Sequence, residues 1–249
     1  MGAGTAGDDY GSAVFWEERY ATPGFGTGEL SPGGTAGAAE AEEWYGPMLA
    51  FAPLLPPAAS SGCRRALVLG GGDSTDACAL SALGWHVLSV DVAPSAGRLG
   101  LARDRRADVA LVDVRHLGSV LAEGSFDLVL DKATTDAVAC ETGGGAEETL
   151  DGVFAGVRRV LAPGGVFVCI SHQSRSDELA APSLEWAVRG CRIWRTEHGE
   201  HRPGAGYFGY ACRAAAPGEQ GAVPHRPRPR LPPYDWPAGH ASFQVVWAA

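Results

Sequence analysis

From residue 65 onward, short apolar runs alternate with stretches of helical period, and the alternation predicts a parallel sheet with crossover helices. Strands are expected at 65–70, 86–91, 108–112, 126–131 and 165–171, and helices near 74–84, 95–105, 146–161 and 178–189. Two more strand-like runs follow, at 191–198 and 207–213, joined by a Gly/Pro turn at 203–206. Upstream, Ser12 is placed to cap a short helix over 12–20, on which Trp16 and Tyr20 share a face. Residues 1–11 and the Gly, Ala, Thr and Pro stretch 21–40 hold almost nothing to bury and read as disordered and as a loop. The tail 214–249, with Pro-Arg-Pro-Arg and Leu-Pro-Pro, excludes helix or central strand and reads as an extended arm.

The first strand, Ala66-Leu67-Val68-Leu69, runs into Gly70-Gly71-Gly72-Asp73-Ser74, and the second ends on Asp91. This is the first half of a nucleotide-binding βαβ unit. Glycines admit a ligand close to the backbone, and an acid roughly 20 residues on accepts hydrogen bonds from ribose hydroxyls. A dinucleotide site needs Gly-x-Gly-x-x-Gly, and Thr75 stands at the third place. The looser pattern suits S-adenosyl-L-methionine, whose tail carries no phosphate, so methyl transfer leads over hydride transfer.

Composition narrows the partners. A formal charge of -9 over 249 residues lacks the basic face a nucleic-acid binder needs. Cys63, Cys78, Cys140, Cys169, Cys191 and Cys212 are scattered without Cys-x-x-Cys spacing, and read as reduced thiols with no metal site. The absence of a signal core or a span-length apolar run makes the cytoplasm the expected compartment, without membrane attachment.

Further motifs extend the pattern in order: Phe15-Trp16-Glu17-Glu18-Arg19-Tyr20, Glu43-Trp44-Tyr45-Gly46, Ser89-Val90-Asp91, Asp113-Val114-Arg115, and Phe126-Asp127-Leu128-Val129-Leu130-Asp131-Lys132-Ala133-Thr134-Thr135-Asp136. Over roughly 14–213 they resemble the class I methyltransferases that modify protein lysines, in particular those acting on translation elongation factor 1-alpha. That methyltransferase-like group includes the domain encoded upstream of endothelin-converting enzyme. The resemblance implies an α/β fold, with a mostly parallel, Rossmann-like sheet in three α/β/α layers ending in an antiparallel strand pair. It implies a methyltransferase domain over 12–213, made of a lid at 12–62 and a core at 63–213, acting as a monomer on a protein substrate.

The resemblance also assigns residues. Asp91 would hold the ribose, Gly70 and Gly72 the cofactor's approach, and Asp113 and Val114 the adenine. Val92 stands beside the adenine where the family has an aromatic, and so gives up stacking. Trp16, Tyr20 and Trp44 would close over the cofactor, while Lys132 would pair with its carboxylate or with Asp131. Asp131 and Asp136 are the candidates for orienting the acceptor amine, with structural roles equally open to both. Gly71, Asp73 and Ala133 replace the family's cysteine, asparagine and glycine. A small-molecule methyltransferase and a catalytically silent cofactor-binding scaffold are the alternative functions.

Overall fold

The computed structural model describes residues 9–22, 44–56, 64–103, 105–141, 145–197, 200–214 and 242–247. Its strands are β1 (Arg65–Leu69), β2 (His86–Asp91), β3 (Asp108–Leu111), β4 (Phe126–Lys132), β5 (Leu161–Ser171), β6 (Trp186–Glu197), β7 (Glu200–Ala214) and β8 (Ser242–Trp247). Helices α1 (Ala13–Ala21), α2 (Asp76–Ala82), α3 (Pro94–Arg103), α4 (Leu117–Val120), α5 (Thr134–Ala139), α6 (Ala146–Val160) and α7 (Ser176–Leu179) are joined by 3-10 turns at Met48–Leu54, Val114–His116 and Pro182–Leu184. The sheet runs β3-β2-β1-β4-β5-β7-β6-β8. The first five strands are parallel to one another, and the last three run antiparallel to the strands they pair with.

Both faces of the central strands are covered, which is why those strands read as unbroken apolar runs. Leu67, Leu69, Val129 and Phe167 point to one face and meet Leu150, Val153, Phe154 and Val157 of α6. The α6 spacing of three and four puts those residues on one stripe, while Glu147 and Glu148 open the helix and Arg158 and Arg159 close it, matching its dipole. Ala66, Val68, Leu128 and Leu130 point the other way, onto Leu80, Trp85 and the turn residues Met48, Phe51 and Leu54. The chain order reverses about β1, and a crevice opens there at the carboxyl ends of the strands.

Three expectations need correction. The helix expected over 178–189 is only α7 and a 3-10 turn. Pro182 holds Ala181 extended, Glu185 turns left-handed at φ 49°, and Trp186 begins β6 by packing on Phe154 and Phe167. Residues 203–206 are not the turn between the last two strands. Glu197 already pairs with Glu200, and the Gly/Pro segment is absorbed within β7 where the register shifts between Trp194 and Thr196. The tail, finally, is not all arm: β8 pairs antiparallel along β6 as the sheet's edge, in register from Cys191 opposite Trp247 to Thr196 opposite Ser242. The loop expected over 21–40, Glu43, Cys63 and tail residues 215–241 lie outside the described residues apart from 21 and 22.

Candidate functional site

The crevice is a cavity of about 340 Å³, within the range of small-ligand sites. Its floor comes from the loops after β1, β2, β3 and β4, and its cover from α1 and the segment at Trp44 and Tyr45.

The glycine loop after β1 is shaped by its neighbours. Gly70 and Gly72 both have positive φ, at 54° and 52°. A methyl group on Gly70 would collide with the Thr134 hydroxyl, and one on Gly72 with the Tyr20 hydroxyl. Gly70 lines the cavity; Gly72 instead supports it, donating its N–H to Asp91 at 2.9 Å beneath the Tyr20 ring. Asp91 accepts a second backbone bond from Ala93 at 2.9 Å. Burial raises its carboxyl above the ordinary carboxylate value, while the Ala93 and Gly72 bonds pull the other way. The cavity therefore has a fixed carboxylate at the end of β2, beside Val92.

After β3, Asp113 caps the following turn by accepting the Arg115 N–H at 3.0 Å, and clasps the Arg115 guanidinium at 2.6 Å. Burial alone would raise its carboxyl, but the Arg115 bonds outweigh burial and hold it below the usual range. Val112 and Val114 flank it on the cavity wall.

The cover is an aromatic cluster. Trp16 stacks on Tyr20 with ring centres 5.7 Å apart and meets Trp44 edge-on at 6.1 Å. Its indole N–H donates to the Tyr10 carbonyl at 2.7 Å. Glu17, between them in sequence, faces away and binds Ser95 of α3, which fixes α1 over the crevice. Ser12 begins α1 as the sequence predicts, accepting the Val14 N–H at 3.2 Å.

Beyond β4 the expectations divide. Lys132 lines the cavity, but its ammonium is bound to Asp76 of α2 at 2.8 Å and to the Gly46 carbonyl at 2.9 Å, rather than to Asp131. Asp131 does not line the cavity, and of the two roles open to it in the sequence the structure displays the structural one. Its carboxylate is fully buried, where it accepts the N–H groups of Thr134 and Thr135, the Thr135 hydroxyl and the Cys169 thiol. The physical reason is the start of α5, whose first amides need an acceptor because Ala133, at φ 73°, offers no side-chain cap.

Asp136 does reach the cavity, yet it is saturated with donors. It accepts from Tyr45 Oη at 2.7 Å, Ser171 Oγ at 2.5 Å, the His172 N–H at 3.1 Å and Arg175 at 2.9 Å. Burial favours its neutral form, but the Ser171, Tyr45 and His172 bonds win and hold it below the usual range. Sequence reasoning missed the roles of Tyr45, His172 and Arg175. Tyr45 lay inside a quoted motif, whereas His172 and Arg175 gave no signal, because their partner lies on an element 36 or more residues away.

The methyltransferase domain family matches residues 67–169. EEF1A lysine methyltransferase 4 of Bos taurus is 30% identical over 193 residues, which cover 72% of this chain and 69% of that protein. The Mus musculus protein of the same name is 29% identical over the same shares. The mitochondrial citrate synthase-lysine N-methyltransferase of Pongo abelii is 36% identical over 103 residues, covering 41% of this chain and 40% of its own. Among solved structures, a SAM-dependent methyltransferase from Methanosarcina mazei is similar with a TM-score of 0.48 at 14% identity, covering 63% of this chain and 94% of that one.

Proposed function

Because the chain belongs to the class I S-adenosylmethionine-dependent methyltransferases, in the protein-lysine methyltransferase family of EEF1A lysine methyltransferase 4, we propose that it methylates a lysine of translation elongation factor 1-alpha. The observation that carries the reading is the cavity at the sheet's switch point, with Asp91 at one wall and the Trp16, Tyr20 and Trp44 rings as its cover.

The donor set fits S-adenosylmethionine. Asp91 is the group for a ribose diol, since a carboxylate accepts both hydroxyl protons and its geometry is already fixed by Gly72 and Ala93. Val92, Val112 and Val114 suit the flat apolar adenine, and Asp113 its exocyclic amine. Electron-rich aromatic faces suit a sulfonium cation. When bound, the cofactor supplies an electrophilic methyl group on that sulfonium.

The protein's own work is alignment and exclusion of water. The α1 cover shields the crevice, and Tyr45 keeps its proton, because burial first and then the Asp136 carboxylate push its phenol upward. Asp136 anchors the segment carrying Tyr45 to the end of β5.

The experiment is radiolabelled methyl transfer into purified elongation factor 1-alpha and into whole-cell extract, with wild type and Asp91→Ala compared. A labelled elongation-factor band with wild type alone, and weakened S-adenosylhomocysteine binding by Asp91→Ala, are expected. Labelling of another protein would remove the elongation factor from the proposal, and unchanged cofactor affinity in Asp91→Ala would remove the ribose role.

A further inference from the structure

We propose that His172 is the catalytic base that takes the proton from the acceptor lysine, with Asp136 and Tyr45 as its positioning residues; the inference rests on the lysine-methylation reading above. His172 is the first residue beyond β5, at the same sheet edge as Asp91 and Lys132, and it lines the cavity with its side chain 47% exposed.

Among the described residues, its ring is bonded through Nδ1. Nδ1 lies 3.0 Å from Asp136 Oδ2 and 3.0 Å from Tyr45 Oη, and the backbone N–H of His172 binds the same carboxylate at 3.1 Å. The Tyr45 hydroxyl donates its proton to Asp136 at 2.7 Å, so both neighbours of Nδ1 present acceptor oxygens. That arrangement assigns the hydrogen to Nδ1 and leaves the lone pair on Nε2. Arg175 and Ser171 occupy the other oxygen of Asp136, and Tyr207 of β7 backs the Tyr45 ring at 4.5 Å.

A lysine amine carries that proton at neutral pH, its ordinary pKa being ~10.4, and cannot attack until it is lost. The cavity's charged groups already have partners among the described residues: Asp91 has the Gly72 and Ala93 amides, Asp136 has four donors, Asp113 and Arg115 have each other, and Lys132 has Asp76. In the proposed step one N–H bond of the substrate ammonium breaks as Nε2 of His172 gains the hydrogen. The lone pair so released forms the N–C bond to the donor methyl, and the electron pair of the breaking C–S bond stays on sulfur. The exposed imidazolium then returns its proton to solvent.

The test is His172→Asn, whose amide keeps a donor toward Asp136 but cannot accept the proton. Initial rates of methyl transfer into whichever protein the wild type labels are compared from pH 6.5 to 9.5, alongside S-adenosylhomocysteine affinity by calorimetry and the melting temperature. We expect a rate about 10²-fold lower at pH 7, a gap that closes as the pH rises and solvent deprotonates the amine, and unchanged affinity and melting. A wild-type rate at pH 7, a deficit equal at every pH, or weakened S-adenosylhomocysteine binding would each overturn the role. A wild type that labels no protein sinks the methylation reading itself, and is thereby distinguished from failure of His172 alone.

Discussion

The Glu17 carboxylate accepts two hydrogen bonds from Ser95, from its amide at 2.8 Å and from its hydroxyl at 2.7 Å. Ser95 is the second residue of α3, so a negative charge from α1 sits on the positive end of another helix. The same contact fixes the angle at which Trp16 and Tyr20 cover the crevice, because they flank Glu17 on one short helix. A structural bond at the back of α1 therefore sets the geometry of a binding surface at its front.

Glu17→Ala should accordingly weaken S-adenosylhomocysteine binding by about tenfold, the scale of losing charge-assisted hydrogen bonds, while the melting temperature barely moves. Calorimetry and thermal melting read the two quantities separately. The Ser95 backbone bond, then its hydroxyl, holds the Glu17 carboxyl below its ordinary value. The contact should thus persist throughout the ordinary carboxylate range and be lost only at lower pH. Equal affinity in wild type and variant would show that α1 is positioned without this bond.

Much of this site is legible in sequence, for an identifiable reason. Asp91, Gly70 and the valines at 92 and 114 follow local rules: a strand end, a turn, a fixed spacing. For Asp131 the sequence leaves two roles open, because spacing places it at a functional edge but does not show that the first amides of α5 consume its carboxylate. Gly71 looked like a departure, yet the Ser89 hydroxyl fills the space a side chain there would need, a match visible only across strands. In the fold, strands 65–69, 86–91 and 126–132 follow the apolar runs closely. Between Ser171 and Cys191 the pattern misleads, because Trp186 and Val188 belong to a period of two that the residues before Pro182 disguise as helix, whereas the strand pair expected beyond Cys191 is present.

Ala133 occupies the left-handed region at φ 73°, where the resembling family carries glycine. A side chain there costs about 1–2 kcal/mol, which glycine avoids, set against glycine's greater freedom in the unfolded chain. Ala133→Gly should therefore stabilise the protein by about 0.5–1 kcal/mol and raise the melting temperature by roughly 1–4 °C. A lower melting temperature would mean that the methyl group packs better than its backbone strain suggests.

Burial pushes the Asp131 carboxyl up to about 6, against the opposing bonds of Thr135 and with the Asp136 charge adding to the rise. Its folded value thus exceeds the unfolded one, so between about pH 4 and 6 the native protein holds a proton that the unfolded chain has released. The resulting stabilisation is complete below that window and is lost as the pH rises through about 6. Asp131→Asn cannot titrate. Urea unfolding should show the wild type's stability relative to Asp131→Asn declining by on the order of 3 kcal/mol between pH 4 and 7. Asp136 titrates in both proteins and cancels to first order. A difference that is flat with pH, or that grows, would place the Asp131 carboxyl at or below its ordinary value.

Lys132 and Asp76 make an ion pair at 2.8 Å with side chains only 3% and 4% exposed. The ammonium also holds the Gly46 carbonyl, so one buried charge joins β4, α2 and the segment carrying Trp44 and Tyr45. Removing one partner of such a pair leaves a desolvated charge behind and costs about 3–5 kcal/mol, whereas removing both with apolar residues of similar volume is often neutral. Lys132→Met should therefore lower the urea midpoint sharply, and Lys132→Met combined with Asp76→Leu should recover most of that loss. The double variant should nonetheless bind S-adenosylhomocysteine more weakly than wild type, because the tie to Gly46 is gone and the aromatic cover is free to shift. If Lys132→Met alone unfolded like wild type, the pair would be exposed enough for water to replace the lysine. If the double variant bound the cofactor product normally, the Gly46 contact would have no part in holding the cover.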